Sequence, residues 1–447
     1  MTDKNILFVA FEFPPLGGAG VQRSLKFVKY LRNFGVNPIV ITIREEDYAN
    51  AIPGHPIDRA LCKDIPSDIT IERIHCRNGL KENPSKIKKW ADIFFSVMEN
   101  YKKLWKEELV LKLPELILNY KPVAVYVSLP PFAMGPLWID VLKNYRIPII
   151  MDFRDAWSQW SIGPNASIAH YKFKLFEERK ILNKARFVIC STKQIMTDMQ
   201  RVHPNVDTKK FVVINNGYDG DLNFRDEVKI VKKEKIVIGY VGSFYYTPEA
   251  REQMFKPWWK KPLHRMIQYT HRKEDWLYRS PYFFFSAVKV MMERRPDLNN
   301  KLEIRFAGKT PEWLLSQIKY FGLEDICKHY GYLGHDDVLS FQNNCDALLI
   351  TSSKVIGGRD FSIAGKTYEY FTIGKPILAF VCEGEQKDIL IESNMSIICD
   401  PDNIEESSSK VEALFEKGIT LKPNKEAIEK YNRKLLTSKL ANLIFNV

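Results

Sequence analysis

Several broad classes are excluded by what this chain lacks. No apolar run approaches the ~18 residues that a membrane-spanning helix needs. The first residues, MTDKNILFVAFEFPP, hold a short apolar run, but no small-residue cleavage site follows, and Pro14-Pro15 stops the run early; it reads as a first strand. Cysteine is scarce, seven in 447 residues, an odd number without a CxxC pair. Most of the seven stand beside apolar runs, as buried free thiols do, which points to a reducing cytoplasm. There is no repeat of fixed period and no low-complexity segment. No HxH and no Cys/His cluster is present, so no bound metal is expected. RRM, KH and zinc patterns are missing too, which argues against a nucleic-acid partner.

What remains is an ordinary globular composition, 45% hydrophobic and 27% charged. Its length suggests two or three domains. Lys and Arg number 66 against 54 Asp and Glu, so the net charge is 66 − 54 = +12. That balance favours anionic partners.

Apolar runs alternate with helical stretches. Ile6–Phe11, Ile39–Ile43, Val123–Ser128, Ile147–Phe153, Phe187–Cys190 and Phe211–Ile214 are nearly continuous in Val, Ile and Phe, as strands buried on both faces of a parallel sheet are. Val21, Leu25, Val28 and Leu31 share one helix face directly after the first strand, completing a βαβ order. Around 217–235 the chain turns polar, and then the pattern restarts with strands at Ile236–Val241, Leu302–Ala307, Ala347–Thr351, Ile377–Phe380 and Met395–Ile398. Two α/β halves are therefore expected, residues 1–218 and 235–424, with a cleft between them and a helical segment at 425–447.

Residues 247–280 break the rhythm. Between Arg251 and Arg279 eight Lys or Arg stand against three acids, with Phe255, Trp258, Trp259, Tyr269, Trp276 and Tyr278 interleaved. Either these aromatics pack on their own domain, or the segment is a lid or a surface patch for an anionic or lipid-linked partner.

Four constellations carry possible chemistry. The loop Phe13-Pro14-Pro15-Leu16-Gly17-Gly18-Ala19-Gly20 leads into a helix N-terminus, where backbone N–H groups favour an anion. It has neither the spacing of GxGxxG nor a following Gly-Lys-Ser/Thr, which disfavours a dinucleotide oxidoreductase and a P-loop. Gly239-Tyr240-Val241-Gly242-Ser243-Phe244 opens the second half in the same manner. Gly365-Lys366-Thr367-Tyr368-Glu369-Tyr370-Phe371 places Lys366 and Glu369 on one helix face, with Gly374 as the C-cap. A lysine there can meet a diphosphate and a carboxylate one turn later can accept from ribose hydroxyls; a plain i,i+3 surface ion pair is the alternative. Asp152-Phe153-Arg154-Asp155 ends a buried strand, where ligands of open α/β sheets bind. Its carboxylates can orient and deprotonate a hydroxyl or, alternatively, fix the loop as an ion-pair network.

FPPLGGAGVQR, DFRDAW, GYVGSF and GKTYEYFTIGKPIL together resemble the GT-B glycosyltransferases, specifically the large retaining family 4, over nearly the whole chain. The resemblance implies two Rossmann-like domains. A nucleotide-diphosphate sugar donor would be held mainly by the second, a saccharide or lipid-linked acceptor by the first, and no further cofactor would be needed. It places Glu369 on the ribose and Lys366 with Gly242 and Ser243 at the diphosphate. Gly17 and Gly18 fall near the transferred sugar, and Asp152 and Asp155 by the acceptor hydroxyl. The C-terminal helix would cross back to the first domain. Two departures follow. The family's sugar-contacting Glu eight residues before the ribose Glu is Phe361 here, with Asp360 beside it as a substitute. The basic residue that grips the diphosphate after the Gly242 strand has no obvious counterpart; Arg251, Lys256, Lys260 and Lys261 are candidates. The implied activity is sugar transfer by a cytoplasmic protein, and the basic surface without a membrane anchor points to a lipid-linked or cell-envelope saccharide as acceptor, in polysaccharide synthesis. A non-catalytic nucleotide-sugar binder or scaffold is the rival. The run Lys81–Lys112, basic and aromatic by turns, suits peripheral attachment to an anionic membrane face.

Overall fold

In the computed structural model, which describes residues 4–76, 101–160, 163–222, 226–416 and 418–447, the chain divides into two units. One comprises 1–216, 267–271 and 433–447; the other comprises 217–266 and 272–432. Most of the basic run 81–112 lies outside the described residues. From it, the helix Tyr101–Tyr120 is described, and its Trp105 is fully buried.

The first unit is built on a seven-stranded sheet. Its strands are β1 Lys4–Val9, β2 Val36–Ile43, β3 Ile71–Ile74, β4 Ala124–Leu129, β5 Ile149–Phe153, β6 Phe187–Cys190 and β7 Phe211–Val213. They lie in the order β3-β2-β1-β4-β5-β6-β7, all parallel. The near-continuous apolar runs are buried because helices cover both faces. Phe8, Leu25, Val28, Leu31, Tyr126 and Ile150 form one cluster with Leu436, Leu440 and Ile444. Those last three sit on the helix Arg433–Phe445, which thereby packs on the helix Ala19–Leu31. Each such large side chain contributes about 1.5–3 kcal/mol on burial.

The second unit repeats the plan. Besides β8 Val228–Ile230, its strands are β9 Ile236–Val241, β10 Glu274–Asp275, β11 Leu302–Ala307, β12 Cys327–His329, β13 Ala347–Thr351, β14 Lys354–Val355, β15 Ile377–Phe380, β16 Ser396–Cys399 and β17 Ile419–Leu421. Six of them form a parallel sheet ordered β12-β11-β9-β13-β15-β16, and β8/β17 and β10/β14 make small antiparallel pairs. Phe284, Phe285, Val288 and Met291 cover one face, and Tyr368, Tyr370 and Phe371 join a cluster with strands β13 and β15. Residues 425–447 are two helices, Lys425–Glu429 in the second unit and Arg433–Phe445 in the first.

Both sheets run outward in opposite directions from a central pair, β1/β4 in the first and β9/β13 in the second. This doubly wound order is the Rossmann arrangement, and its switch point at the carboxyl ends of the central strands is where such sheets bind ligands. The expected α/β fold with two Rossmann-like domains is the observed one.

Candidate functional site

In the second unit the central strand β9 runs into Gly242, and its neighbour β11 runs into Gly308. Gly242 has φ 103° and Gly308 φ 129°, backbone that disfavours a side chain. A Cβ on Gly308 would lie 2.5 Å from the Gly242 carbonyl oxygen. The Gly242 N–H donates to the Ala307 carbonyl (2.7 Å), fixing this close approach. Side chains are thus removed where the two strands end, leaving accessible backbone.

The helix Gly365–Ile373 begins at the same place. No side chain caps its first N–H groups, and Gly374, at φ 69°, closes its other end. Lys366, in its first turn, reaches back to the end of β9. Its Nζ donates to the Val241 carbonyl (2.8 Å) and lies 3.7 Å from the centre of the Tyr240 ring. A Cβ at Gly242 would come within 3.3 Å of it. Burial brings the Lys366 ammonium down to about 7, against the opposing pull of Glu369. Glu369 is exposed one turn further along. Lys366, Gly242 and the open helix end therefore converge, with Ser243 following in the chain, while Tyr368, Tyr370 and Phe371 anchor the helix into the core. A desolvated cation at a helix N-terminus is an arrangement that favours an anion.

Asp360 does something other than the sequence suggests. It is 2% exposed, and its carboxylate accepts from the Ser353 hydroxyl (2.6 Å) and from the Ser362 N–H and hydroxyl (2.9 and 2.7 Å). Its backbone bridges to Glu383 and Glu385. These bonds make Asp360 the fastener of the loop before the helix. Phe361 is buried as well.

A basic residue that the sequence did not single out, Arg279, also stands near this strand end. It closes the turn before the helix Tyr282–Arg294. Its guanidinium donates to the Ser362 hydroxyl (2.7 Å), stands 3.8 Å from Asp360, and opposes the upward push that burial gives the Tyr240 hydroxyl. Lys366 and Arg279 thus flank the same Tyr240 side chain. Arg251 is otherwise engaged, in a two-pronged pair with Asp275 (2.7 and 2.9 Å), and Lys256 pairs with Glu252. The available signal was positional: Arg279 immediately precedes the helix that returns from β9, the equivalent of the first unit's glycine loop.

In the first unit the loop after β1 leads to Gly18, φ 97°, at the uncapped start of the helix Ala19–Leu31. Gly17 donates its N–H to the Pro56 carbonyl (2.8 Å), and a Cβ there would sit 3.1 Å from that of Asp58. Arg154 braces the loop through the carbonyls of Gly20 and Pro130 and stands 3.6 Å from Glu12. Asp155 is half-buried at the end of β5.

Asp152 does not fit the role expected of it. It is fully buried, and its carboxylate accepts from Arg23 Nε (2.7 Å), Arg23 Nη2 (2.8 Å) and the Tyr126 hydroxyl. Arg23 continues to the carbonyls of Ile214 (2.8 Å) and Asn215 (3.0 Å). Burial, the largest influence, lowers the Arg23 pKa, but the charge and hydrogen bonds of Asp152 and the Tyr126 hydroxyl together outweigh it and raise it. The ion pair of the alternative reading is the arrangement observed: Asp152, fully buried, staples the first helix to β5 and the 214–216 strand end. Among the described residues, no group of three His, Cys, Asp or Glu is placed to hold a metal ion.

Residues 284–435, which include Lys366 and Glu369, match the family model described as glycosyl transferases group 1. Among solved structures, HepE of Anabaena, determined with UDP and glucose, is similar over 99% of both chains at 14% identity, TM-score 0.55. Sucrose-phosphate synthase of Thermosynechococcus elongatus is similar over 99% of this chain and 98% of its own, at 10% identity and TM-score 0.60. The lipopolysaccharide outer core galactosyltransferase WaaB, in its apo form, covers 99% of each chain at 13% identity, TM-score 0.57. The chain has the GT-B fold. No curated protein matches its sequence. A GT-B fold alone does not assign a reaction, so the reaction must be argued from the site.

Proposed function

We propose that the protein transfers a sugar from a nucleotide-diphosphate sugar to a saccharide or lipid-linked acceptor, with retention at the anomeric carbon. One observation carries the reading: a lysine held near neutrality in pKa, beside a glycine-cleared strand end and an open helix N-terminus. A diphosphate supplies the charge this place lacks. Glu369, one turn on and exposed, is positioned to accept from ribose hydroxyls. Lys366 and Arg279 stabilise the departing diphosphate. The bond from the anomeric carbon to the diphosphate oxygen breaks, and the acceptor oxygen bonds to that carbon on the same face. The acceptor proton passes to the leaving phosphate oxygen, so no protein nucleophile is required. One such charge contact is typically worth ~3–4 kcal/mol of barrier.

Cell-envelope polysaccharide synthesis is the setting we infer, supported by the likeness to the lipopolysaccharide transferase WaaB and the net charge of +12. No described helix is long and apolar enough to cross a membrane, and attachment from the cytoplasmic side would be peripheral.

The reading is tested by incubating the protein with UDP-, GDP- and ADP-sugars and measuring released nucleoside diphosphate. One donor should be consumed, with Glu369→Ala raising its KM strongly and Arg279→Met lowering kcat. Unchanged turnover in both variants would refute the assignment. The rival, a non-catalytic binder, is favoured by the buried Asp360 and Phe361, which leave no carboxylate where the resemblance expects a sugar contact. Donor binding with no diphosphate release would establish it.

A further inference from the structure

The segment 256–273 divides its aromatic and basic residues in a way the donor site does not explain. Phe255 is half-buried, with Arg251 and Lys273 over its ring, and the Trp276 indole donates to Glu274. Trp258, Trp259 and Leu263, in contrast, are 59%, 62% and 88% exposed. They stand on two single turns of 3-10 helix, Trp258–Lys260 and Leu263–Arg265, each entered through a proline, Pro257 and Pro262. Proline fixes φ, so these turns are stiff, and the two indoles lie 5.9 Å apart at 90°. From Lys256 to Lys273 there are six Lys or Arg and no acid. Among the described residues no carboxylate pairs with Lys260, Lys261, Arg265 or Lys273. Burial, and then the charges of Lys273 and Arg265, lower the Lys261 pKa. Lys261, Lys273 and Arg265 thus crowd like charges together.

We propose that residues 256–265 dock the protein on an anionic phospholipid bilayer. Two adjacent indoles and a leucine need an apolar phase, which a soluble polyanion or an acidic protein surface does not supply. Indoles prefer the headgroup boundary, and lysine and arginine pair there with lipid phosphates. This extends the membrane setting inferred above and rests on that part of the reading, but not on the donor site.

Flotation with phosphatidylcholine vesicles, with and without phosphatidylglycerol, tests it on the full chain. Wild type should float with the phosphatidylglycerol vesicles alone, and less as salt rises. Lys260→Glu with Lys261→Glu should weaken binding about 20-fold or more, at roughly fivefold per lost cation. Trp258→Ser with Trp259→Ser should weaken it about tenfold or more and abolish quenching by brominated acyl chains. Because Trp258 and Trp259 are exposed, the melting temperature of the tryptophan variant should be unchanged, and it should keep the melting shift given by a nucleoside diphosphate. No vesicle binding by wild type, undiminished binding by the tryptophan variant, or binding to heparin without binding to vesicles would each overturn the proposal. Vesicle binding that persists where no nucleotide-sugar is bound would support it while refuting the donor assignment.

Discussion

Replacing Lys366 by methionine should make the nucleotide-free protein more stable at pH 6 and unable to sense a nucleoside diphosphate. Burial lowers the lysine from 10.5 to about 7. A base whose pKa falls on folding destabilises the fold below its folded pKa, and that destabilisation fades as pH rises towards the unfolded value. At ~1.4 kcal/mol per pH unit, the gross penalty is about 5 kcal/mol at pH 6 and about 2 kcal/mol at pH 9. The hydrogen bond to Val241 and the Tyr240 ring return about 1–2 kcal/mol each. Methionine keeps the volume and removes the charge. Its advantage over wild type, read from urea unfolding, should be about 2 kcal/mol at pH 6 and should turn into a deficit of about 1 kcal/mol by pH 9. A difference that stays flat over this range would show that the ammonium is not desolvated. A diphosphate, by its charge, should restore the proton. Wild type should therefore gain more melting temperature from a nucleoside diphosphate at pH 6.5 than at 8.5, and the methionine variant should gain little at either.

Arg23→Met leaves Asp152 buried without its cation and should lower unfolding free energy by about 3–5 kcal/mol in chemical denaturation; a loss below about 1 kcal/mol would contradict the staple described for Asp152. Gly308→Ala drives a Cβ against the Gly242 carbonyl at 2.5 Å and should weaken nucleoside diphosphate binding by calorimetry. Unaltered affinity would mean the two strand ends play no part in holding the ligand.

The parallel strands were readable because burial on both faces writes continuous Val, Ile and Phe into the chain. The strands missed were edges or short pairs. β3 (Ile-Glu-Arg-Ile) and β12 (Cys-Lys-His) keep one side towards water and lack such runs. The turn from Gly365 to Tyr370 was legible because helix spacing alone places Lys366 and Glu369 together. Asp152 and Asp360 share one ambiguity: a carboxylate at a strand or loop end looks the same in sequence whether it faces substrate or satisfies buried donors. Only the positions of Arg23, Tyr126, Ser353 and Ser362, each remote or unremarkable in the chain, separate the two. Arg279 was hidden by the insertion before it, which displaces it 38 residues from the strand end at Val241. The same insertion supplied too many basic residues to choose among.

The central claim, that Glu369 holds the ribose of a nucleotide whose diphosphate meets Lys366, is tested most directly by a thermodynamic cycle. Calorimetry would measure the binding of a nucleoside diphosphate and its 2′,3′-dideoxy counterpart to wild type and to Glu369→Ala. The account predicts strong non-additivity: the variant loses about 1.5–3 kcal/mol on the ribose ligand, as expected for hydrogen bonds to a charged acceptor, and almost nothing on the dideoxy ligand. Equal losses on both ligands, or none on either, would contradict it.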